Sequence, residues 1–230
     1  GLRSPQMAGP ARGLDKWFFY PGFEPGTGGL LREPGLMDTR HRFDGRAWLQ
    51  SRGLAPRSGE RVVSLFCYPT APVGYLLQAL AGTPTLLLLT PGTAVPAASP
   101  TLRCLTLPWF SQSDYDRLLW ACDLNFVRGE DSFVRAQWAG APFVWQIYPQ
   151  HDAAHAAKLD AFLDLMLAGA EPPLDDALRR LWQAWNSLRP GPAALPPAAP
   201  WQALARNWRE RLLAQPDLAT QLLGFVAERR

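Results

Sequence analysis

Lysine, cysteine and long apolar runs are scarce in this chain of 230 residues, and each shortage excludes a class of protein. Lys16 and Lys158 are the only lysines, and the arginines are scattered rather than clustered. A nucleic-acid partner is therefore not expected despite the net charge of +3. The three cysteines form no CxxC pair, which indicates free thiols in a reducing, cytoplasmic compartment. No apolar run approaches the roughly 18 residues of a membrane span, so no membrane partner is expected.

Signature motifs of several enzyme classes are also missing. The sequence contains no GxSxG, no GxGxxG and no Gly-Lys-Ser/Thr after a glycine-rich loop, so serine hydrolases, NAD enzymes and P-loop NTPases lack support. His151 and His155 have a spacing that could hold zinc on a helix, but no third ligand accompanies them. A solvated or hydrogen-bonded pair is the simpler interpretation, and no metal is expected.

Short apolar runs alternate with helical patterns between Arg61 and Gly169, which predicts a parallel sheet with crossover helices. The predicted strands are Val62–Tyr68, Thr85–Leu89, Arg103–Leu107, Leu124–Val127 and Phe143–Tyr148. The predicted helices are Asp44–Gln50, Ala71–Ala81, Ser113–Ala121, Ser132–Ala139, Asp152–Leu167, Trp201–Leu213 and Asp217–Glu228. Residues 1–14 look loop-like, and residues 16–33 look like a loop and turn rather than a strand pair. The fold class is therefore α/β with a Rossmann-like sheet, whose strand order the sequence does not reveal.

The stretch Leu124–Gly140 contains a strand, a turn at Arg128-Gly129 and then a helix. A helix that follows a parallel strand presents unpaired N–H groups and a positive dipole end, which suits a nucleotide diphosphate. Arg128 and Ser132 could add donors. Alternatively, Glu130, Asp131 and Ser132 simply cap the helix and complement its dipole. Two carboxylates beside a diphosphate would repel it, so a functional interpretation must turn at least Glu130 toward a hydroxyl or a cation.

A second cluster, Leu107–Tyr115, lies at the carboxyl end of a predicted strand. In open α/β sheets ligands bind outside those strand ends. Trp109 and Tyr115 supply flat rings on which a base could stack, and the Gln112 amide could recognise it. Alternatively, Ser111 or Ser113 caps the following helix and the aromatic side chains belong to the core.

The first predicted strand ends in Phe66 and Tyr68, which alternation places on one face. Core packing is the default interpretation for both rings. The glycines of Phe18–Glu33 allow close approach of the backbone in that loop.

Four segments together resemble the EarP family of bacterial elongation factor P arginine rhamnosyltransferases. They are FFYPGFEPGTGGLLRE at residues 18–33, SLFCY at 64–68, RGEDSFVRAQWAG at 128–140 and PFVWQIYPQHDAAHAAKL at 142–159. The resemblance implies an inverting, metal-independent glycosyltransferase of the two-domain GT-B type. Such an enzyme transfers L-rhamnose from dTDP-β-L-rhamnose to an arginine of elongation factor P, with the donor held by the C-terminal domain and no cofactor.

The resemblance also implies roles for individual residues. Gln112 matches the position of thymine recognition, and Glu130 matches the functionally essential glutamate. The other implied donor-binding residues are Phe66, Tyr68, Trp109, Tyr115, Arg128, Asp131 and Ser132, of which Trp109 and Tyr115 stand where the family more commonly has Phe.

The resemblance predicts two parts in this chain. Residues 1–57 would be a remnant of the N-terminal domain with a linker, and residues 58–230 would be the nucleotide-sugar domain. The aspartates that engage the acceptor in the family have no match here, so this chain alone is expected to bind the donor without turnover. The competing interpretations are another nucleotide-sugar transferase and a non-catalytic α/β interaction module.

Overall fold

A computed structural model describes residues 2–5, 9–10, 12–97, 99–149 and 154–229 of the chain. Two compact units are formed, one by Gly1–Leu36 with Glu210–Arg230 and the other by Met37–Arg209. The strands are β1 Leu2–Pro5, β2 Asp15–Phe18, β3 Arg61–Leu65, β4 Thr85–Leu89, β5 Leu102–Thr106, β6 Leu124–Arg128 and β7 Phe143–Gln146. The helices are α1 Leu36–His41, α2 Gly45–Ser51, α3 Val73–Leu80, α4 Gln112–Ala121, α5 Gly129–Ala139, α6 Ala154–Met166, α7 Pro172–Trp185, α8 Ala198–Leu213 and α9 Leu218–Ala227.

The larger unit is built on a five-stranded parallel sheet with the order β5-β4-β3-β6-β7. The sheet confirms the predicted α/β class. Strand β4, between β5 and β3, is a run of Thr and four leucines, all buried, as expected for a strand covered on both faces. From β3 the chain moves toward one edge through β4 and β5, and then returns to add β6 and β7 on the other side. The order in which strands are added therefore reverses between β3 and β6, although all five strands are parallel.

Two cores cover the faces of this sheet. One contains Leu86, Leu88 and Leu118 and packs α2 and α4 against the strands. The other is aromatic: the Trp182 ring stacks on Phe162 at 5.6 Å and meets Phe143 edge to face at 5.4 Å. Among the described residues, no helix combines the length and apolar character that crossing a lipid bilayer requires.

The smaller unit contains an antiparallel pair of β1 and β2, so the prediction that residues 1–14 are loop-like was wrong for Leu2–Pro5. Each strand has only four residues, which is too short to show alternation in the sequence. The pairing places Arg3 opposite Trp17, and Arg3 also forms an ion pair with Asp15 at 2.6 Å. The prediction that residues 16–33 form a loop rather than a strand pair was wrong for residues 16–18, which belong to β2, and right for residues 19–33, which form no strand or helix.

Glycines let that loop close on itself. A Cβ on Gly28 would lie 2.5 Å from the Phe19 ring, and a Cβ on Gly29, which has φ of +69°, would lie 2.6 Å from the Pro216 carbonyl oxygen. The expected close approach of the backbone is therefore confirmed at these two positions.

Strand ends differ from the prediction, and helices α1 and α7 were not predicted. β3 stops at Leu65 because the Tyr68 N–H bonds the side chain of Gln146 instead of a neighbouring strand. β7 stops at Gln146 for a similar reason, since the Ile147 N–H bonds the Asn186 side chain. Helix α7 was not predicted, although Pro in its first turn and buried residues at Leu178, Leu181, Trp182 and Trp185 carry the helical period.

One predicted feature remains untested, and another lies partly outside the described residues. The boundary between residues 57 and 58 concerns a two-domain parent and stays a prediction. The predicted helix Asp152–Leu167 is observed as α6, and residues 150–153 lie outside the described residues.

Replacing Trp182 by alanine is expected to lower the free energy of unfolding by about 3–5 kcal/mol, because it empties the centre of the aromatic core. Trp109→Ala is the matched control: Trp109 is 85% exposed, so the expected change is within about 0.5 kcal/mol. Urea unfolding followed by circular dichroism measures both. Equal destabilisation by the two substitutions would contradict this account of the core.

Candidate functional site

A cavity of about 550 Å³ opens at the carboxyl ends of the parallel strands. We call it the main cavity. Its lining comes from the segments after β3, β4, β5 and β6, and includes Phe66, Thr90, Pro91, Leu107–Gln112, Tyr115 and Arg128–Ser132. The space between the loops after β3 and β6 lies where the strand order reverses. Ligands usually bind at this point in open α/β sheets. Eight of the nine predicted site residues line this one cavity.

Tyr68 is the exception, since it lines an adjoining cavity of about 480 Å³. The two cavities share Phe66, Thr90, Pro91 and Arg128. Burial raises the pKa of the Tyr68 hydroxyl, and the nearby Glu130 carboxylate adds to the rise.

Arg128 ends β6 and occupies the N-cap position of α5. Its guanidinium lies 4.2 Å from the ring centre of Phe66 and 4.8 Å from that of Tyr68, and its Nη1 donates to the Cys67 carbonyl at 2.9 Å. No carboxylate forms an ion pair with Arg128 among the described residues. The predicted core packing of Phe66 and Tyr68 is thus wrong in one respect, because both rings hold a cation at the cavity wall.

The first turn of α5 faces the main cavity. Arg128 provides no side-chain cap, while the Ser132 hydroxyl bonds the backbone N–H and carbonyl of Arg128. The alternative in which Glu130, Asp131 and Ser132 cap the helix is therefore observed only in part, through Ser132. The N–H groups at the start of a helix have no partner within it, so this turn presents donors and a positive dipole end to the cavity.

A bent entry into α5 makes this exposure possible. Gly129 has φ of +65°, and a Cβ there would lie 3.3 Å from the Tyr68 hydroxyl. The Gly129 carbonyl accepts a hydrogen bond from Trp145 Nε1 at 2.9 Å, which fixes the turn.

The two carboxylates of this turn differ in their contacts. Asp131 is 72% exposed and lies 3.7 Å from Arg135 Nε. Glu130 is exposed at the cavity and forms no hydrogen bond or ion pair with the described residues. Of the two, Glu130 is the carboxylate left for a ligand.

The aromatic residues of the β5 loop take different positions. Trp109 is open to solvent at the cavity, as a stacking position requires. Tyr115 meets Phe66 edge to face with ring centres 6.1 Å apart, and packs against the core. Burial raises the pKa of its hydroxyl, which lies beside Ser132 without forming a hydrogen bond among the described residues. Tyr115 is therefore partly the core residue that the alternative predicted.

Ser111 caps α4 by accepting a hydrogen bond from the Asp114 N–H at 3.2 Å, which was one of the two capping predictions. The same cap positions the exposed Gln112 at the cavity, so capping by Ser111 is compatible with Gln112 facing a ligand.

Sequence reasoning missed Arg135, which stands behind Gln112. One end of the Gln112 amide faces Arg135 Nη2 and Arg135 Nε, the latter at 2.9 Å; because a guanidinium carries only donors, this end is the oxygen, which accepts both hydrogen bonds. Arg135 also forms a buried ion pair with Asp116 at 2.7 Å. Helical spacing from Asp131 to Arg135 was visible in the sequence, but the packing of α5 against α4 was not.

The structure gives little support for a cysteine nucleophile or a metal site. Burial raises the pKa of the Cys67 thiol to about 11, so the thiol stays protonated at neutral pH and is a poor nucleophile. All three cysteines are free, as predicted. Within the residues that the structure describes, no three His, Cys, Asp or Glu side chains gather as metal ligands would. His151 lies outside those residues, so its pairing with His155 stays a prediction.

The sequence model of the family described as elongation factor P rhamnosyltransferase EarP matches residues 1–227. The chain belongs to the EarP family. The resemblance predicted from the four segments is thereby confirmed.

Individual relatives agree with this family. A protein-arginine rhamnosyltransferase of Pseudomonas aeruginosa is 44% identical over 246 residues, and the match covers 95% of this chain and 65% of that protein. One from Pseudomonas putida is also 44% identical, with 98% and 66% covered. The chain thus spans about two thirds of the length of these curated relatives.

A solved structure described as the structural basis for EarP-mediated arginine glycosylation of translation elongation factor EF-P resembles this fold. The TM-score is 0.75 at 38% sequence identity, and the match covers 92% of this chain and 76% of the other. The EarP fold is therefore shared.

Proposed function

We propose that the main cavity binds dTDP-β-L-rhamnose, and that this chain is the donor-binding part of an inverting GT-B enzyme. The enzyme transfers rhamnose to an arginine of bacterial elongation factor P without a metal or other cofactor, in the cytoplasm. One observation carries the proposal: a single cavity combines an exposed indole and an amide with an unneutralised guanidinium and an open helix N-terminus. The names of the relatives support the reaction class.

The size and length of the cavity support a nucleotide sugar. A volume of about 550 Å³ lies within the usual range for small-molecule sites. Its lining extends from the loop after β5 to the loop after β6, and these strands are three positions apart in the sheet. At about 4.8 Å per strand, the two ends are about 14 Å apart.

At the β5 end, Trp109 offers a face on which thymine stacks, while Gln112 supplies a hydrogen-bonding group beside it. At the β6 end, Arg128 and the first turn of α5 hold the diphosphate. Both groups carry positive charge that is in place before the ligand arrives, which favours an anion.

This arrangement stabilises the leaving group of the transfer. An acceptor guanidinium nitrogen attacks C1 of the sugar, the C1–O bond to the diphosphate breaks, and a base takes the nitrogen's proton. Negative charge then develops on dTDP, where the Arg128 guanidinium and the α5 N–H groups lie. Arginine has a pKa above about 12, so deprotonation of the acceptor is the demanding step.

Glu130 has a different part in the proposal. Its carboxylate would repel the diphosphate if it pointed there, so we assign it to the sugar and the acceptor side. The absence of an ion pair with the described residues leaves it available for that role.

Titration of the chain with dTDP, UDP and thymidine by calorimetry tests the proposal. We expect dTDP to bind with a Kd in the micromolar range, more tightly than UDP. Equal binding of UDP would favour another nucleotide-sugar transferase. No nucleotide binding would favour a non-catalytic interaction module and contradict the proposal.

Replacing Arg128 by alanine is expected to weaken dTDP binding by about 1.5–3 kcal/mol, the range for hydrogen bonds to charged groups. Thymidine, which has no phosphate, should bind almost as before. Calorimetry with both ligands measures the difference. Arg179→Ala is the control, because Arg179 pairs with Asp175 and Asp164 and does not line the cavity. A similar loss for thymidine and dTDP would show that Arg128 supports only the fold.

Replacing Glu130 by glutamine should leave dTDP affinity unchanged or slightly improved, because a charge near the diphosphate is removed while the shape is kept. The same substitution should reduce the affinity for dTDP-rhamnose relative to dTDP. Competition between the two ligands measures this ratio. A ratio unchanged from the parent chain would place the Glu130 carboxylate away from the sugar.

A further inference from the structure

The Gln112 amide has a fixed orientation, and the reason lies behind the cavity wall. Arg135 Nε and Nη2 both point at one end of the amide, with Nε at 2.9 Å. A guanidinium carries only donors, so the end that faces it is the carbonyl oxygen. The opposite end, the N–H2 group, is the one that a ligand in the cavity meets.

Arg135 is itself held in place. Nη1 donates to both carboxylate oxygens of Asp116, at 2.9 and 2.7 Å, and Asp131 lies 3.7 Å from Nε. The side chains of Arg135 and Asp116 are only 4% and 8% exposed. Helices α4 and α5 therefore carry a connected series from Asp116 through Arg135 to Gln112.

The desolvation cost of burying the Arg135–Asp116 ion pair indicates a role other than stabilising the fold. A buried ion pair loses hydration of both charges, and replacing it with apolar side chains often leaves stability unchanged or improved. This pair lies directly behind a residue that lines the cavity. Orientation of that residue accounts for its location.

We propose that Arg135, anchored by Asp116, is a positioning residue that makes the cavity select a nucleobase with a carbonyl oxygen on its outer edge. This inference rests on the proposed function. With its oxygen held by Arg135, Gln112 can offer only N–H donors. Thymine presents an O4 acceptor, whereas cytosine presents an N4–H2 donor at the same place. The cytosine N4–H2 group would therefore face the Gln112 N–H2 group, and neither could accept a hydrogen bond from the other.

The layout of the cavity indicates that Gln112 meets the 4-position of a pyrimidine base rather than its 2-carbonyl. Gln112 follows β5, the strand farthest from the phosphate-binding end at β6 within the cavity lining. The 2-carbonyl of a pyrimidine adjoins the bond to the sugar, and the 4-position lies on the remote edge. The remote edge therefore faces Gln112.

The decisive experiment measures the affinities of dTDP and dCDP for the chain and two variants. The parent should prefer dTDP by about tenfold or more, as an unpaired polar group in a binding site requires. Gln112→Glu keeps a partner for Arg135 but replaces the outward donor with an acceptor, so the preference should disappear or reverse toward dCDP. Arg135→Lys keeps the charge opposite Asp116 but loses the planar pair of donors, so the preference should fall about fivefold.

Controls separate orientation from folding and from charge. Gln78→Glu adds the same charge on α3, where Gln78 is exposed and lines neither cavity, and should leave the preference intact. In a Gln112→Ala background, Arg135→Lys should no longer change the preference. Thermal melting shows whether each variant is folded; if Arg135→Lys is not, Gln112→Glu decides alone.

Two outcomes overturn the inference and can be told apart from failure of the proposed function. If the parent binds dTDP but Gln112→Glu weakens dTDP and dCDP equally, the amide does not select the base. If Arg135→Lys still changes the preference without Gln112, Arg135 acts by another route. If the parent binds neither nucleotide, the proposed function itself fails.

Discussion

The pairing of β3 with β6 at the middle of the sheet is the constraint from which the site follows. The Ser64 hydroxyl donates to Asn125 Oδ1 at 2.6 Å across these strands, and Asn125 Nδ2 donates to the Leu119 carbonyl at 3.0 Å. Both side chains are buried, so the bonds are made without competition from water. After β3 the chain continues toward the β5 edge of the sheet, and after β6 it continues toward the β7 edge. The loops that follow these two strands therefore diverge. The crevice between them receives Phe66 and Arg128 from opposite sides.

Much of this arrangement could be predicted from local sequence. The leucines of β4 and the β-branched and apolar runs of its neighbours define the strands, and residues after strand ends in an α/β sheet line a ligand site. The positions of Arg128 and Gln112 at the cavity follow from that rule. Helix α7 could also have been predicted, since its buried residues have the helical period.

What the sequence could not provide depends on contacts distant along the chain. The strand order sets which loops face each other, and no local pattern encodes it. Arg135 lies in a helix like many surface arginines, and only the packing of α4 against α5 brings it to Gln112. The exposure of Trp109 and the half-burial of Tyr115 likewise depend on tertiary packing, although the two aromatic residues are close in sequence.

The setting of Arg128 has a consequence for the thermodynamics of binding. A free arginine side chain loses about 1.5–2 kcal/mol of rotamer entropy when it is ordered. Here two aromatic rings and the Cys67 carbonyl already restrict the guanidinium in the unliganded fold. That ordering accompanies folding rather than ligand capture. An anion that reaches this guanidinium therefore meets a rigid partner, and its association should carry a smaller entropic penalty than capture by a flexible surface arginine.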